Sequence, residues 1–409
     1  MHEPGRKPDL FSAPTVHTVP NLPRSHADVA MKFSASSSDL LEALNTVKGA
    51  VPSKSTMPIL QSVLFEKSED GSTLTLSATD LEISIVREVA VQFASNGTAT
   101  PQRIAVPAKR LIDTLRALPD QPISFAADSD FEIRMETDQG HYKMVGHDGD
   151  DFPDLPEVDA HHEIAAEGAV ISDAISKTSF AVSKDALRPA MMGIYFQLDA
   201  DTSRIVATDG HRLVKLDRSD LATDGEEVSF IVPEKATKLV QRIVDDDLLC
   251  TIGVSDGHVS FSINNARVIA RLIDETYPNY QAVIPDGNDR ELVVNREAML
   301  NAVKRVGLYS SSMTNQIRLA LTASEVTISA EDIERSSEAK EVVRCEYDND
   351  PMEIGFNSEY LTEVLGNITS EEVLFRLGSP NRAGIVVPHG TEDPDILMLI
   401  MPVMLNTYA

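Results

Sequence analysis

The sequence predicts an α+β protein made of three copies of one unit, each with two helices packed on antiparallel sheets. Three landmarks recur in the same order along the chain: an amphipathic helix, a β-hairpin with a short polar turn, and a strand that runs into a second amphipathic helix. A repeated order of elements indicates an internal repeat, so we expect three copies of a single layered fold.

The opening helix of each unit is predicted from apolar residues at helical spacing, which place one side of the helix on a core. These apolar stripes are Leu40, Leu41, Leu44 and Val47 in unit one, Val170, Ile171 and Ile175 in unit two, and Met299, Leu300, Val303 and Val306 in unit three.

The hairpin is the clearest repeat, and its three copies centre on Asp80, Asp209 and Asp332, which are 129 and 123 residues apart. In each copy, alternating apolar residues precede a polar turn, which predicts a strand, a turn and a returning strand. The alternating pairs are Leu74 and Leu76, Ile205 and Ala207, and Val326 and Ile328.

The second helix of each unit follows a strand directly. Pro107 and Pro233 suit the start of a helix, and Asn357 suits an N-cap. The apolar positions behind these starts again have helical spacing: Leu111, Ile112, Leu115 and Leu118 in unit one, and Ala236, Leu239, Val240 and Ile243 in unit two.

These landmarks predict three domains over residues 31–156, 163–286 and 291–409. Residues 1–30 carry five prolines among polar residues without periodicity. We expect this segment to be a disordered tail with no role in the fold.

The composition limits the possible partners. A net charge of −28 argues against a polyanionic ligand unless the 36 Lys and Arg residues are concentrated in one place. An acidic outer surface that suits a salty interior is the simplest explanation. Cys250 and Cys345 have no metal-binding or redox spacing, and no signal-peptide or membrane-spanning pattern occurs, so we expect a cytoplasmic protein without a membrane partner.

Four local strings resemble the bacterial DNA polymerase III beta subunit, the β sliding clamp family. They are Thr208–Leu213, Thr276–Tyr280 with Ile284 and Pro285, Met57–Leu60, and the terminal Met401–Leu405. The resemblance covers about residues 31–405, with all landmarks in the family's order.

The resemblance implies the DNA clamp fold, in which two chains join head to tail as a homodimeric ring of six units around double-stranded DNA. It implies a non-catalytic processivity subunit that slides along any sequence and needs no cofactor. The implied protein partners are the replicative polymerase α subunit, the clamp loader and other proteins with a clamp-binding motif. Phosphate contacts from Lys and Arg fit such sliding, since they carry no sequence information.

The DNA-facing residues that the resemblance implies lie on the helices and on the loops after first helices. They are Lys54, Lys109, Arg110, Arg116, Lys177, Lys184, Arg188, Lys235, Lys238 and Arg242. The spacing of Lys235, Lys238 and Arg242 also predicts a cationic face opposite the apolar stripe. Unit three departs from this pattern, because Glu359 and Glu363 stand on the matching helix. Ordinary solvated helix faces remain the alternative.

The resemblance also implies a pocket between units two and three for a short peptide with Gln, Leu and Leu or Phe. Its deep subsite is implied for Met191, Thr208, Gly210, Arg212, Leu213, Pro278, Val283, Leu399 and Met401, with His211 beside them and Pro402, Val403 and Met404 as the shallower wall. Unbranched Met side chains suit a pocket that accepts several ligands. Pro189, Ala190, Met404 and the extension 406–409 depart from the family's pattern and leave the motif preference open.

The ring closure that the resemblance implies pairs Tyr142 and Met144 of unit one with Leu308 and Tyr309 of unit three in the partner. Taken alone, these are apolar positions on amphipathic elements, for which core packing is the more frequent role.

Two other classes of function stay open on the sequence. A metal-dependent hydrolase or nuclease is suggested by His147, Asp148, Asp150 and Asp151, by His161 and His162, and by the Asp and His of the Thr208–Arg212 string, although none has a complete ligand set or a nucleophile at known spacing. Asp and Gly favour turns for backbone reasons, which explains the string without catalysis. The second alternative is a repeat-built scaffold that binds peptides and never encloses DNA.

Overall fold

The computed structural model of the chain describes residues 29–68, 71–94, 102–223, 225, 227–390 and 395–405. The first strand begins at Val29, two residues before the predicted start at Met31. The rest of the predicted tail and residues 406–409 lie outside the described residues.

Unit one consists of strands around two helices. Its elements are β1 (Val29–Ser36), α1 (Ser37–Val47), β2 (Ser62–Lys67), β3 (Thr73–Thr79), β4 (Ile83–Ala90), β5 (Gln92–Phe93), β6 (Arg103–Pro107), α2 (Ala108–Ala117), β7 (Pro122–Asp128), β8 (Glu132–Glu136), β9 (His141–Val145) and β10 (His147–Asp148).

Unit two repeats the order. Its elements are β11 (His162–Glu167), α3 (Gly168–Ser179), β12 (Gly193–Leu198), β13 (Ser203–Thr208), β14 (Arg212–Arg218), β15 (Val228–Pro233), α4 (Glu234–Ile243), β16 (Leu249–Val254), β17 (His258–Ile263) and β18 (Ala266–Arg271).

Unit three repeats it again. Its elements are β19 (Arg290–Asn295), α5 (Arg296–Gly307), β20 (Gln316–Leu321), β21 (Glu325–Asp332), β22 (Ser337–Tyr347), β23 (Met352–Asn357), α6 (Ser358–Gly366), β24 (Glu372–Leu377), β25 (Gly384–Pro388) and β26 (Ile396–Ile400).

The helices begin where their sequence signals stand. Ser36 caps α1 by accepting a hydrogen bond from the backbone N–H of Asp39, and Asn357 caps α6 by accepting from the N–H groups of Glu359 and Tyr360. The two helices of each unit pack on each other and on the unit's sheets, and the predicted stripe residues Leu40, Leu44 and Val47 are among the buried side chains of the core.

The described strands form three antiparallel sheets, and two of them cross the unit boundaries. Units one and two share a nine-stranded sheet because β4 pairs with β18, and units two and three share a twelve-stranded sheet because β14 pairs with β26. A five-stranded sheet in unit one has the order β5-β1-β7-β8-β9. The units are therefore joined edge to edge by backbone hydrogen bonds.

Two strand edges, one in unit one and one in unit three, have no partner strand from a neighbouring unit among the described residues. By their position in the repeat, β22 of unit three corresponds to β4 and β14, while β9 of unit one corresponds to β18 and β26. Among the described residues, β9 pairs only with β8, and residues 337–344 of β22 pair only with β21. Unit one therefore presents the edge of β9, and unit three presents the edge of β22. These edges correspond to the two strands that pair at each boundary inside the chain, β4·β18 and β14·β26.

Candidate functional site

The peptide pocket expected between units two and three is built on the β14·β26 pairing. Leu213 lies opposite Leu399 in the register, and both belong to a small apolar cluster with Tyr280. The N–H of Met401 donates to the carbonyl of His211 at 2.8 Å, and the N–H of Val403 donates to the carbonyl of Gly355 at 2.8 Å. Residues from two distant parts of the sequence therefore form adjoining walls.

Burial divides the predicted pocket residues into a floor and a rim. Thr208, Leu213 and Leu399 are buried, whereas Val283, Met401 and Met404 are exposed. The remaining positions are intermediate or exposed: Met191 on the 3-10 turn Pro189–Met192, and Gly210, His211, Pro278, Pro402 and Val403. The mixture of buried apolar floor and exposed thioether rim suits capture of an apolar peptide side chain.

The turn Thr208–Arg212 is held by its own side chains. The Oδ1 atom of Asp209 accepts from the N–H groups of His211 at 2.8 Å and Arg212 at 3.0 Å, and the Thr208 hydroxyl donates to the carbonyl of Arg212 at 2.7 Å. Gly210 has a φ of +88°, which a residue without a Cβ adopts most easily. The acid and the glycine of this string thus have a backbone role.

Arg212 is the buried charged residue among the predicted pocket positions. It is 7% exposed, and its guanidinium forms ion pairs with Asp209 (Nε to Oδ2, 3.3 Å) and with Glu363 of α6. Its Nη2 also donates to the carbonyl of Phe180 at 2.7 Å. Burial lowers the pKa of Arg212 below its ordinary value, with Asp209 opposing the shift. Arg212 is therefore a fixed cation next to Leu213, and its expected place in the deep subsite stays a prediction.

Sequence reasoning missed the aromatic residues around this cation. The guanidinium carbon lies 5.3 Å from the ring centroid of Phe180 and 4.7 Å from that of Tyr360, distances that fit cation–π contacts. His211 stacks on Tyr360 with ring centroids 5.9 Å apart. The Asn357 N-cap, which sets the phase of α6, is the one sequence signal that places Tyr360 and Glu363 on a common face.

Most of the predicted DNA-facing cations already have carboxylate partners. Six of the ten are paired: Lys109 and Arg116 with Asp113, Lys177 with Asp173, Arg188 with Asp185, Lys235 with Asp80, and Lys238 with Glu234. The hydrogen bond from Lys109 holds the pKa of Asp113 below its ordinary value. In the part of the chain that the structure describes, Lys54, Arg110, Lys184 and Arg242 form no ion pair.

The expected interface residues split into two groups. Leu308 is 81% exposed, and Tyr142 and Tyr309 are also exposed. Met144, in contrast, is 3% exposed and belongs to the core of unit one. Its side of β9 faces the core of unit one at that position, so the expected contact role of Met144 stays a prediction that its burial does not support. Val145, the next residue, is exposed.

The candidate metal and catalytic residues have structural partners. Asp148 caps a 3-10 turn by accepting from the N–H of Asp150 at 3.0 Å, and Asp150 contacts Arg103 at 3.7 Å. His161 lies 3.8 Å from Asp256. Over the described ranges, no three His, Cys, Asp or Glu side chains gather as a metal site would require. Within the same ranges, no helix is both long and apolar enough to cross a bilayer.

Comparison with known proteins places these features in one family. Family models of the DNA polymerase III beta subunit match residues 31–156 with the N-terminal domain, 166–279 with the central domain and 281–404 with the C-terminal domain. A relative from Pseudomonas aeruginosa, a beta sliding clamp, is 30% identical over 92% of this chain and 100% of its own length.

Solved structures agree with this match. The crystal structure of the Pseudomonas aeruginosa DNA polymerase III subunit beta superposes with a TM-score of 0.86 at 29% identity, covering 92% of this chain and all of the other. The Caulobacter crescentus beta sliding clamp, solved with polyethylene glycol in a putative beta-motif tethering region, gives a TM-score of 0.84 at 29% identity with the same coverage.

Proposed function

The chain belongs to the DNA polymerase III beta subunit family, the bacterial beta sliding clamps, and from that premise we propose that two copies close head to tail into a ring around duplex DNA. The function of the chain is that of a DNA sliding clamp for the polymerase. The ring, its partners and its contact residues are the proposal argued below.

The two incomplete strand edges carry the proposal. Inside the chain, each boundary is made by a hairpin strand of one unit and the last sheet strand of the next, as in β4·β18 and β14·β26. Pairing β22 of one copy with β9 of another would repeat that junction. Unpaired strand edges are otherwise a liability for aggregation, so a partner strand at both ends is the economical solution.

Exposed apolar side chains flank these edges. Tyr142 and Val145 lie on β9. Val342 lies on β22, Ile333 lies in the turn before it, and Leu308 directly follows α5. Two such head-to-tail junctions would form per dimer and would bury these side chains at each, and clusters of exposed apolar residues of this kind mark interaction surfaces.

The position of Arg110 favours a contact at the proposed junction between two copies over a contact with DNA. Lys235 and Tyr360 each stand immediately before the first buried apolar residue of their helices, Ala236 and Leu361, and each contacts the hairpin turn of the preceding unit. Arg110 stands three residues after Pro107, as Tyr360 stands three after Asn357, and it likewise precedes a buried leucine, Leu111. In a closed ring it would face the acidic turn of unit three, where Glu334 is exposed.

DNA would be held loosely by cations on the helices and on the loops after the first helices. Lys54, Lys184 and Arg242 lack carboxylate partners among the described residues, and the paired lysines can exchange a carboxylate for a phosphate. Because phosphate contacts are independent of sequence, they permit sliding, and retention then depends on ring closure and not on affinity. The role is that of a non-catalytic processivity subunit in the cytoplasm, without a cofactor.

The pocket at β14 and β26 would dock the replicative polymerase α subunit, the clamp loader and other proteins with a clamp-binding motif. A buried Leu213 and Leu399 floor offers the specific apolar contact, and Met401 and Met404 at the rim can repack around different side chains. One site shared by several partners implies that they compete for it.

The ring is tested by small-angle X-ray scattering with an absolute mass on the full chain. We expect twice the chain mass of 44.6 kDa, about 89 kDa, and a distance distribution with a central hole. Leu308→Asp should shift the protein to a monomer, because a carboxylate would be buried in the apolar junction. Leu187→Asp, at a fully solvated loop position of unit two, is the matched control and should remain dimeric. A compact monomer for the unmodified chain at every salt concentration would refute the ring.

A further inference from the structure

We propose that Glu363 is a positioning residue for the peptide pocket, because it anchors the Arg212 guanidinium across the boundary between units two and three. The inference rests on the proposed peptide-binding function of that pocket. It assigns a role to a carboxylate that the sequence marks only as the absence of a basic residue on α6.

The contacts around Arg212 fix the position of its guanidinium. One edge faces Asp209, another pairs with Glu363, and Nη2 donates to the carbonyl of Phe180. The ring of Tyr360 lies 4.7 Å from the guanidinium carbon. A planar group with donors in a rigid fork is immobilised when carboxylates, a carbonyl and ring faces all engage it.

Only one of the two carboxylates can join the units. Asp209 belongs to the turn that precedes Arg212, so their contact at 3.3 Å is local to unit two. Glu363 lies on α6 of unit three, 151 residues away in sequence. The ion pair with Glu363 therefore crosses the boundary between the units.

The pocket straddles this same boundary. Its unit-two wall continues from Arg212 into Leu213 on β14, and its unit-three wall runs from Leu399 on β26 to Met401, whose N–H bonds to His211. Loss of the Glu363 charge would leave the buried guanidinium with Asp209 as its one carboxylate partner and would let it turn toward that residue, next to the pocket floor. Since Glu363 is 47% exposed, water would screen part of the effect, and we expect weaker peptide binding instead of its abolition.

The boundary between units one and two supplies an internal comparison. There the carboxylate of Asp80, on the equivalent turn, pairs with Lys235 on the second helix of the following unit. The charges are the reverse of those at the boundary between units two and three, because here the acid is on the turn and the base is on the helix. A turn-to-helix ion pair is thus common to both boundaries inside the chain, and only the second lies behind the peptide pocket.

The test measures peptide affinity of the full-length protein with a fluorescein-labelled peptide in which Gln is followed by Leu, Ser, Leu and Phe. Anisotropy gives the Kd for the unmodified chain and for Glu363→Gln, Glu363→Asp and Asp80→Asn. Glu363→Gln and Asp80→Asn are matched, since each neutralises the carboxylate of one boundary ion pair with an isosteric amide. Melting temperature and dimer mass are recorded for each.

We expect Glu363→Gln to raise the Kd about fivefold, a change that corresponds to losing one partly screened charge contact. Glu363→Asp, which keeps the charge, should recover most of the affinity, and Asp80→Asn should leave the Kd unchanged even if its melting temperature falls as much as that of Glu363→Gln. A positioning role predicts this separation of affinity from stability.

The possible failures are distinguishable. If the unmodified chain does not bind the peptide, the proposed pocket is wrong and the inference falls with it. If it binds and Glu363→Gln binds equally well, the pocket stands and the inference is overturned. Equal weakening by Glu363→Gln and Asp80→Asn would also overturn it, because general loosening of the chain would then explain the loss.

Discussion

The Asp repeated in the three hairpin turns has a structural role, although the motif around it could suggest catalysis. Asp80, Asp209 and Asp332 mark the three repeats, and each accepts a hydrogen bond from a backbone N–H of its own hairpin turn. Such side-chain to backbone bonds stabilise turns locally. The recurrence of this acid therefore follows from the need for the same turn three times, and the Asp and His of the second copy need no catalytic explanation.

The two cysteines differ in their surroundings, and this difference is testable. Cys250 is buried on β16, and burial raises its pKa to about 12, because the thiolate is disfavoured away from water. At pH 8 we expect Cys250 of the native protein to stay protonated and unreactive toward 5,5′-dithiobis(2-nitrobenzoate), while half-buried Cys345 reacts slowly.

The measurement is a thiol titration with and without denaturant. Cys345→Ser should remove the slow reaction of the native state and leave one reactive thiol after unfolding. Rapid modification of Cys250 in the folded protein would contradict its burial. The sign of the pKa shift also implies that this thiol favours the folded state less as the pH rises above the ordinary value of 9.0 toward 12.

At the scale of elements, α6 depends on its N-cap. The Asn357 side chain accepts from the N–H groups of Glu359 at 2.9 Å and Tyr360 at 3.2 Å, and its amide donates to the carbonyl of Thr314. Asn357→Ala should lower the free energy of unfolding by about 1 kcal/mol, the usual cost of a lost cap. Chemical denaturation measures it.

The conservative variant Asn357→Asp is the control, since a carboxylate also caps a helix start and suits the helix dipole. It should retain most of the stability that Asn357→Ala loses. Equal losses for both variants would show that the bond to Thr314, and not the cap, is the source of the stability.

The cationic helix faces that residue spacing predicts carry less unpaired positive charge than the sequence suggests. Lys238 pairs with Glu234 and Lys109 with Asp113, each one turn away on the same helix. Ion pairs of this kind between exposed side chains contribute little to stability, so a phosphate can displace them. The faces remain available to DNA, but each contact first releases a carboxylate.

On the scale of the whole molecule, net charge opposes assembly. Each chain carries −28, so two chains repel one another until salt screens them, over a Debye length of about 10 Å at 0.1 M. We expect the dimer dissociation constant to fall as the sodium chloride concentration rises from 0.05 M to 1 M, which analytical ultracentrifugation can follow. Potassium glutamate at matched ionic strength controls for specific effects of chloride. A dissociation constant independent of salt would contradict this.

The sequence alone determined the repeats, the hairpins and the helix starts, because these depend on local periodicity and on residues such as Asn357 that act on their own backbone. It also carried the family resemblance, through strings such as Thr208–Leu213. The tertiary structure decided the partners of Arg212, the burial of Met144 and the pairing of Lys235 with Asp80. Those outcomes depend on contacts between residues far apart in the chain, as with Arg212 and Glu363 at 151 positions, and no local pattern encodes which side chains meet once the units share their sheets.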